Sequence, residues 1–315
     1  MKQITIISIL AALMWSCSSD NAGYEPVRIH RLDRALASGR VETVDSMRDA
    51  AEALFAVTGR GVVNGETVAE YAADRATTFY MPDIEQRLPS LDSVENALGR
   101  IYSLFAEKLS EAPRYEIYGT VLPYNQSLFF KDSMLFIGLN HYLGPDYEPY
   151  GHFPGFIRRD KRAERLPVDV AEAAVKVGYP FSPDTAYPTV LNRLLYEGAV
   201  VEAVMQAAGV DEAAALGYPR DEWQWMTANE RQAWDALITR SLLYSTDPAI
   251  ARSLTAPAPH TTLLNPESPG RAGRFTGYRI VAAYLRANPS ATLADILSPG
   301  FYMNPDALQK SSYRP

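Results

Sequence analysis

Residues 116–139 read EIYGTVLPYNQSLFFKDSMLFIGL. Three short runs in this stretch, 116–122, 127–131 and 134–139, are rich in aromatic and β-branched residues. Turn-forming sequence separates them, PYNQ at 123–126 and KDS at 131–133. The pattern predicts a small antiparallel sheet over about residues 115–140.

Helical periodicity surrounds this predicted sheet on both sides. Apolar residues spaced by three and four predict a series of helices, over 32–57, from Ser90 or Asp92 to 109, and over 169–177, 191–208 and 228–243. Thr227 and Glu230 have the spacing of a capping box for the helix over 228–243. The sequence therefore predicts an α+β fold that is predominantly α-helical, with the sheet packed against the helices.

A final helix is expected to begin near Ser268, which can cap free amides, with Pro269 at the first helical position. Gly270, Gly273 and Gly277 then follow along it. Each glycine costs on the order of 1 kcal/mol relative to alanine, so something must compensate. We expect a neighbouring backbone packed closely against this glycine face.

Two arginines near the same helix start, Arg271 and Arg274, leave a second explanation open. A helix N-terminus with arginines can receive a carboxylate or phosphate. An internal ion pair with Glu197 or Glu267 is an equally reasonable interpretation.

The N-terminus has the features of a lipoprotein signal. Lys2 precedes an apolar stretch over 4–13, and the small residue Ser16 precedes Cys17, the only cysteine. We expect residues 1–16 to be a signal peptide, Cys17 to carry diacylglycerol and palmitate, 17–25 to be a tether and 26–315 to form a single domain. An ordinary cleaved signal followed by a free thiol is the alternative.

Charge and composition exclude some classes of function. The chain has 315 residues and a formal net charge of −7, which argues against nucleic-acid binding through bulk charge. The mature part is long enough to bury a large core. With one cysteine, no intramolecular disulfide can form.

The four histidines, His30, His141, His152 and His260, do not form a zinc motif. A zincin needs two histidines one helical turn apart, and Glu197 alone could not hold the metal. His141, Asp146 and His152 could meet in a loop, but a satisfied structural histidine is the better interpretation. No nucleophile motif was found, so the sequence predicts no metal, no cofactor and no catalytic residue.

Several segments resemble, in order, those of the gliding motility-associated lipoprotein GldB family. They are Phe136–Gly144, Pro167–Val170, Leu195–Gly198, Leu242–Pro248, Glu267–Arg274 and Lys310–Pro315. The resemblance implies a lipid-anchored protein of the Bacteroidota cell envelope, in the outer membrane and facing the periplasm, associated with gliding motility and type IX secretion. It also implies a scaffold similar to zincin-type metallopeptidases, without their metal motif.

From this resemblance we expect a non-enzymatic binding or assembly component with an envelope protein as partner and the membrane bound through Cys17. The candidate ligand or partner cleft contains His141, Tyr196, Glu197, Glu267, Arg271 and Arg274. A Tyr- and Trp-rich surface of Tyr196, Trp223, Trp225 and Trp234 is a second candidate. The basic cluster at 158–162 is expected to be a solvated loop, with a contact to a lipid headgroup or a partner as the alternative. The alternative function is an envelope hydrolase or metal-binding, peptidase-like enzyme without the H-E-x-x-H motif.

Overall fold

The computed structural model describes residues 23–315, so Cys17 and the predicted signal peptide lie outside the described residues. Helices dominate and one small sheet is present, which confirms the predicted α+β, mostly helical class. The strands are β1 (Ile29–His30), β2 (Glu116–Thr120), β3 (Leu128–Lys131) and β4 (Met134–Gly138). The helices are α1 (Leu32–Ala37), α2 (Arg48–Thr58), α3 (Gly65–Ala73), α4 (Arg75–Arg87), α5 (Asp92–Lys108), α6 (Gly155–Arg158), α7 (Leu166–Gly178), α8 (Val190–Ala208), α9 (Glu212–Leu216), α10 (Arg220–Ala228), α11 (Glu230–Thr239), α12 (Pro248–Thr255), α13 (Ala272–Ala287), α14 (Leu293–Ile296), α15 (Pro299–Tyr302) and α16 (Ala307–Ser311).

The sheet is mixed, so the predicted antiparallel pairing is wrong in part. Its strand order is β1-β2-β4-β3, with β2 parallel to both β1 and β4, and only β3 and β4 form an antiparallel hairpin. After β2 the chain crosses to the far edge of the sheet and returns, so β4 rather than β3 lies beside β2. Alternation along a strand marks where it lies but does not identify its partner.

The two faces of the sheet belong to two different cores. Ile117, Leu135 and Ile137 point into a large core that extends through the C-terminal helices. Tyr118 and Phe136 point the other way, into a smaller core formed with α1, α2 and α3. Successive side chains of a strand face opposite sides, so the apolar runs of β2 and β4 supply both cores.

Helices α8 and α13 cross at the centre of the large core with their backbones in contact. Gly198 and Gly277 face each other at this crossing. A Cβ on Gly277 would overlap the carbonyl of Leu194, and a Cβ on Gly198 would overlap the backbone of Gly277. The expected close backbone packing of the glycine face is therefore confirmed.

The predicted start of that glycine-bearing helix is wrong. Helix α13 begins at Ala272, and Arg271 before it has a left-handed backbone with φ of 63°. Ser268 and Pro269 instead pair with the preceding segment, because the Thr261 amide donates to the Ser268 carbonyl and His260 forms a bridge with Pro269. The helix is also not the last one, since α14, α15 and α16 follow it.

Two further helix predictions are corrected. The helix predicted over 32–57 is divided into α1, a 3-10 turn at Val41–Met47 and α2, because Gly39 takes a left-handed φ of 70°. Thr227 lies inside α10 and Asn229 precedes α11, so Thr227 and Glu230 form no capping box.

The first described residues are attached to α5. The amide of Val27 donates to the Glu95 carbonyl at 3.0 Å, and the amide of Ile29 donates to the Glu95 carboxylate at 2.8 Å. The folded part of the chain is therefore fixed from about residue 27 onward. Within residues 23–315, no helix has both the length and the apolar character that a membrane span requires.

Candidate functional site

A highly charged cavity lies where α7, α8, α12 and α13 meet. We call it the arginine cavity, and its volume is about 530 Å³. Six cationic side chains line it, those of Arg165, Lys176, Arg193, Arg252, Arg271 and Arg274. Three carboxylates line it as well, those of Asp169, Glu172 and Glu197.

Glu197 lies on the inward face of α8, one residue before the glycine at the helix crossing, and its side chain is only 4% exposed. Lys176, Arg193 and Arg274 lie at 3.2, 3.0 and 3.4 Å from its carboxylate oxygens. A buried carboxylate is tolerated only when opposite charges and donors compensate for lost hydration. Glu197 is therefore held as a paired anion.

Glu172 on α7 is the second anion of this network. Its carboxylate lies 2.8 Å from Lys176, 3.0 Å from Arg274 and 3.8 Å from Arg165. Burial alone would raise its pKa, but the three cations, Arg274 foremost, hold the pKa well below its usual range. Glu172 stays ionised and neutralises the cations around it.

Arg274 connects the two carboxylates but is not fully hydrogen-bonded. It is 6% exposed, with Nη2 at 3.0 Å from Glu172 and Nε at 3.4 Å from Glu197. These distances are short enough for ion pairs. The N–H directions are poor, however, so Nε and Nη2 have no hydrogen-bond acceptor among residues 23–315.

Arg271 and Arg165 form the boundary between the arginine cavity and a second one. Arg271 pairs with Asp160 at 2.9 Å and donates to the Leu216 carbonyl at 3.0 Å. Arg165 donates to Asp169 at 2.8 Å and to the Ala214 carbonyl of α9 at 2.9 Å. These contacts fix α7, α9 and the start of α13 relative to one another.

The second cavity, which we call the lysine cavity, has a volume of about 250 Å³ and contains His141 and Lys161 on its wall. Lys161 is 9% exposed, and its Nζ lies 4.5 Å from the centre of the Phe153 ring and 5.3 Å from that of Tyr124. Burial lowers the pKa of Lys161 to about 8. Cation–π contacts replace part of the hydration that the ammonium loses.

His141 uses both ring nitrogens within the protein. Nε2 lies 3.0 Å from the Pro123 carbonyl and Nδ1 lies 3.2 Å from Lys161 Nζ. The carbonyl can only accept, so Nε2 carries the proton and Nδ1 accepts from the ammonium. Burial, and then the charge of Lys161, lower the pKa of His141 to about 4, so the ring is neutral near pH 7.

The structure brings together some of the six predicted cleft residues and separates others. Glu197, Arg271 and Arg274 share the arginine cavity, and Arg271 also reaches the lysine cavity with His141. Tyr196 is buried and donates to the Tyr179 carbonyl at 2.9 Å, so it packs beneath the site. Glu267 is exposed and lines neither cavity.

The predicted Tyr- and Trp-rich surface is not an exposed patch. Tyr196 is buried, and Trp223, Trp225 and Trp234 are half-buried against the large core. Trp223 contacts Phe275, with ring centres 5.6 Å apart. These indoles stabilise the packing of α10 and α11 and do not present a free aromatic face.

The basic cluster at 158–162 is also not simply solvated. Lys161 is buried in the lysine cavity, and Arg159 forms a two-bond ion pair with Glu222. Sequence reasoning missed Lys161, Asp169 and Glu172 as site residues. Acidic and basic residues spaced by three and four along α7 were the available signal, because such spacing places them on one helix face.

His141, Asp146 and His152 are not grouped as a metal site in the loop that carries them. Asp146 pairs with Arg87 at 3.2 Å, and the ring nitrogens of His141 are already used by Pro123 and Lys161. Over residues 23–315, no three His, Cys, Asp or Glu side chains are grouped so that they could hold a metal ion.

A family model described as "Gliding motility protein GldB" matches residues 18–315. The match covers nearly the whole chain and confirms the predicted resemblance. No curated protein and no solved structure matches the chain, so the likeness to zincin-type scaffolds stays a prediction.

Proposed function

Since the chain belongs to the gliding motility protein GldB family, we propose that it is a lipid-anchored cell-envelope protein. Its folded domain acts as a non-enzymatic binding or assembly component of the motility and secretion apparatus. The lipid is attached at Cys17, and the domain faces the periplasm from the outer membrane. The partner is another envelope protein.

One observation carries the non-enzymatic part of this proposal, namely that the ionisable side chains of the site are occupied by one another. Glu197 and Glu172 each have three cations within 4 Å. A general base must be free to take a proton from a substrate at hydrogen-bond distance. Carboxylates that neutralise buried arginines are instead suited to fixing the shape and charge of a binding surface.

The hydrolase alternative has one supporting feature, the buried His141 beside Lys161. Perturbed pKa values in a cavity are typical of catalytic groups. Here, however, Nδ1 of His141 accepts from Lys161 and Nε2 donates to Pro123. Neither nitrogen is available to a substrate, which favours a structural role for this pair.

Anchoring is tested with Cys17→Ala in the full-length protein expressed in its own envelope. We expect this variant to leave the membrane fraction, because the thiol that would carry the lipid is gone. Ser18→Ala, next to the attachment residue, is the matched control and should stay in the membrane fraction. Unchanged membrane retention of Cys17→Ala would refute lipid attachment at this residue.

The non-enzymatic role is tested with His141→Asn and with metal analysis of the purified lipidated protein in detergent. We expect the variant to support motility if it melts cooperatively, and we expect the wild type to contain far less than one metal ion per chain. A folded, anchored His141→Asn protein that fails in motility, together with stoichiometric zinc in the wild type, would favour the hydrolase.

A further inference from the structure

We infer that the arginine cavity and another cavity, which shares Arg193 and Arg252 with it, together bind an extended peptide segment of a protein partner. An acidic group of that segment enters the arginine cavity, and an adjacent apolar side chain enters the cavity that shares these two arginines. This inference rests on the proposed function and specifies the chemistry of the partner.

The first support is the local charge. The arginine cavity has six cations and three carboxylates on its wall, whereas the whole chain has a net charge of −7. A positive cavity in a negative protein focuses the electrostatic potential on one place and attracts an anionic group there. Five of these cations already pair with a carboxylate of the protein, namely Asp160, Asp169, Glu172 or Glu197, so Arg252 is the cation of this wall that an anionic group could pair with.

The second support is Arg274, which is buried at the cavity wall and whose Nε and Nη2 form ion pairs with Glu197 and Glu172 but no well-aligned hydrogen bond. Its Nε and Nη2 have no acceptor among the described residues. Such a group in a native protein calls for an explanation, and an oxyanion bound in the cavity would supply the acceptors.

The third support is an unpaired cation at the mouth. Arg252 on α12 is exposed, and no carboxylate of residues 23–315 forms an ion pair with it. Arg252 and Arg193 both line the arginine cavity and also a neighbouring cavity of about 400 Å³, which we call the outer cavity. The two cavities are therefore adjacent and share these two arginines.

The outer cavity favours a peptide over a small free anion. Its wall includes Phe181, Pro188 and Ala251, so it offers an apolar surface directly beside the cations. Tyr187 and Tyr244, in the loops that border it, are 74% and 66% exposed. Exposed tyrosines beside arginines are typical of protein–protein contact surfaces. Inorganic phosphate has no apolar surface that could pack against these rings.

The two loops that carry these tyrosines are fixed to each other. The amide of Val190 donates to the Ser245 carbonyl at 2.8 Å, and the amide of Leu191 donates to the Leu243 carbonyl at 2.9 Å. The aromatic rim is thus positioned before any ligand arrives, which reduces the ordering cost of binding.

The test uses the full lipidated protein in detergent and two peptide pools. Each pool contains eight-residue peptides with randomised apolar and small residues around one central position, which is glutamate in the first pool and glutamine in the second. Peptides retained on the immobilised protein are quantified by mass spectrometry. We expect about tenfold more retention of the glutamate pool, and a decrease of that preference as salt rises.

Arg252→Gln should remove most of this preference, and Arg286→Gln should leave it unchanged. Arg286 is the matched control because it is exposed, lies on α13 and is absent from the wall of the arginine cavity. Glu197→Gln removes one of the competing carboxylates and should strengthen the preference, provided that the variant remains folded.

Equal retention of the two pools by the folded wild type, or an undiminished preference in Arg252→Gln, would overturn the inference. Broadening of the ³¹P signal of inorganic phosphate by the wild type, without a preference for glutamate peptides, would also overturn it and indicate a phosphate site. The proposed function is tested separately, since a protein that fails here can still be anchored through Cys17 and support motility through another surface.

Discussion

Replacing Gly277 by alanine should destabilise the protein, although alanine is the better helix former. The added Cβ would overlap the Leu194 carbonyl oxygen and lie 2.7 Å from its carbonyl carbon and 3.3 Å from the Gly198 amide nitrogen. Carbon atoms in a core normally approach to about 3.5–4.0 Å. Helices α8 and α13 must therefore move apart by roughly 1 Å, because backbone atoms cannot rotate out of the way.

The magnitude follows from two opposing effects. Overpacking a core typically costs 1–3 kcal/mol, and a clash with backbone belongs at the upper end, about 3 kcal/mol. Alanine regains about 1 kcal/mol of helix propensity. The expected net loss is about 2 kcal/mol in the free energy of unfolding, which for a chain of this size lowers the melting temperature by roughly 3 °C.

Urea unfolding and thermal melting of Gly277→Ala would be compared with Gly65→Ala. Gly65 is the first residue of α3, and a Cβ there meets no heavy atom within 4 Å, so its substitution should be neutral or slightly stabilising. The double variant Gly198→Ala/Gly277→Ala should lose less stability than the sum of the losses of the two single variants, because the first methyl group has already separated the helices. Equal stability of Gly277→Ala and Gly65→Ala would refute the close crossing.

Three further predictions concern the charged residues. Glu197→Gln should lower the urea midpoint by an amount equivalent to about 2–4 kcal/mol, since buried Arg274 loses one of two carboxylates; an unchanged midpoint would contradict the network. Burial lowers the pKa of His141 from 6.5 to about 4, so between pH 6.5 and 4 the wild type should lose about 1.4 kcal/mol per pH unit more than His141→Phe does as pH falls. Burial lowers the pKa of Lys161 from 10.5 to about 8, so between pH 8 and 10.5 the stability of the wild type relative to Lys161→Met should increase at a similar rate as pH rises.

The sequence predicted element positions better than their pairing. Strands β2, β3 and β4 and helices α5, α7 and α8 lie close to their predicted ranges, because alternation and three-to-four spacing follow directly from burial of one face. Strand β1 has two residues, which is too short for any periodicity. The parallel pairing of β2 with β4 depends on how the chain crosses the sheet, which local sequence does not encode.

The start of α13 shows why local signals can mislead. Ser268 and Pro269 fit the preferences of a helix N-terminus, but tertiary pairing with His260 and Thr261 takes precedence over them. Arg271 then takes the left-handed conformation that a sequence-based rule assigns to glycine. Its side-chain bonds to Asp160 and Leu216 are available to compensate for this strain.

The candidate site was predicted in part for a similar reason. Glu197 and Arg274 lie on helices that the sequence located, and their pairing follows from the crossing beside the two glycines. Lys161 belongs to a cluster of four basic residues that indicated a solvated loop, whereas the rings of Tyr124 and Phe153 enclose its ammonium group. Burial of a charged side chain depends on long-range packing, so the sequence around it could not have indicated it.

The attachment of Val27 and Ile29 to α5 limits the distance between the folded domain and the membrane surface. If Cys17 carries the lipid as proposed, about ten residues separate the bilayer surface from Val27, the first residue that is attached to α5. Fully extended, that length spans at most roughly 36 Å. The side of the domain that faces the membrane therefore cannot lie further from the bilayer than this distance. A partner that binds the domain must accordingly lie close to the lipid headgroups.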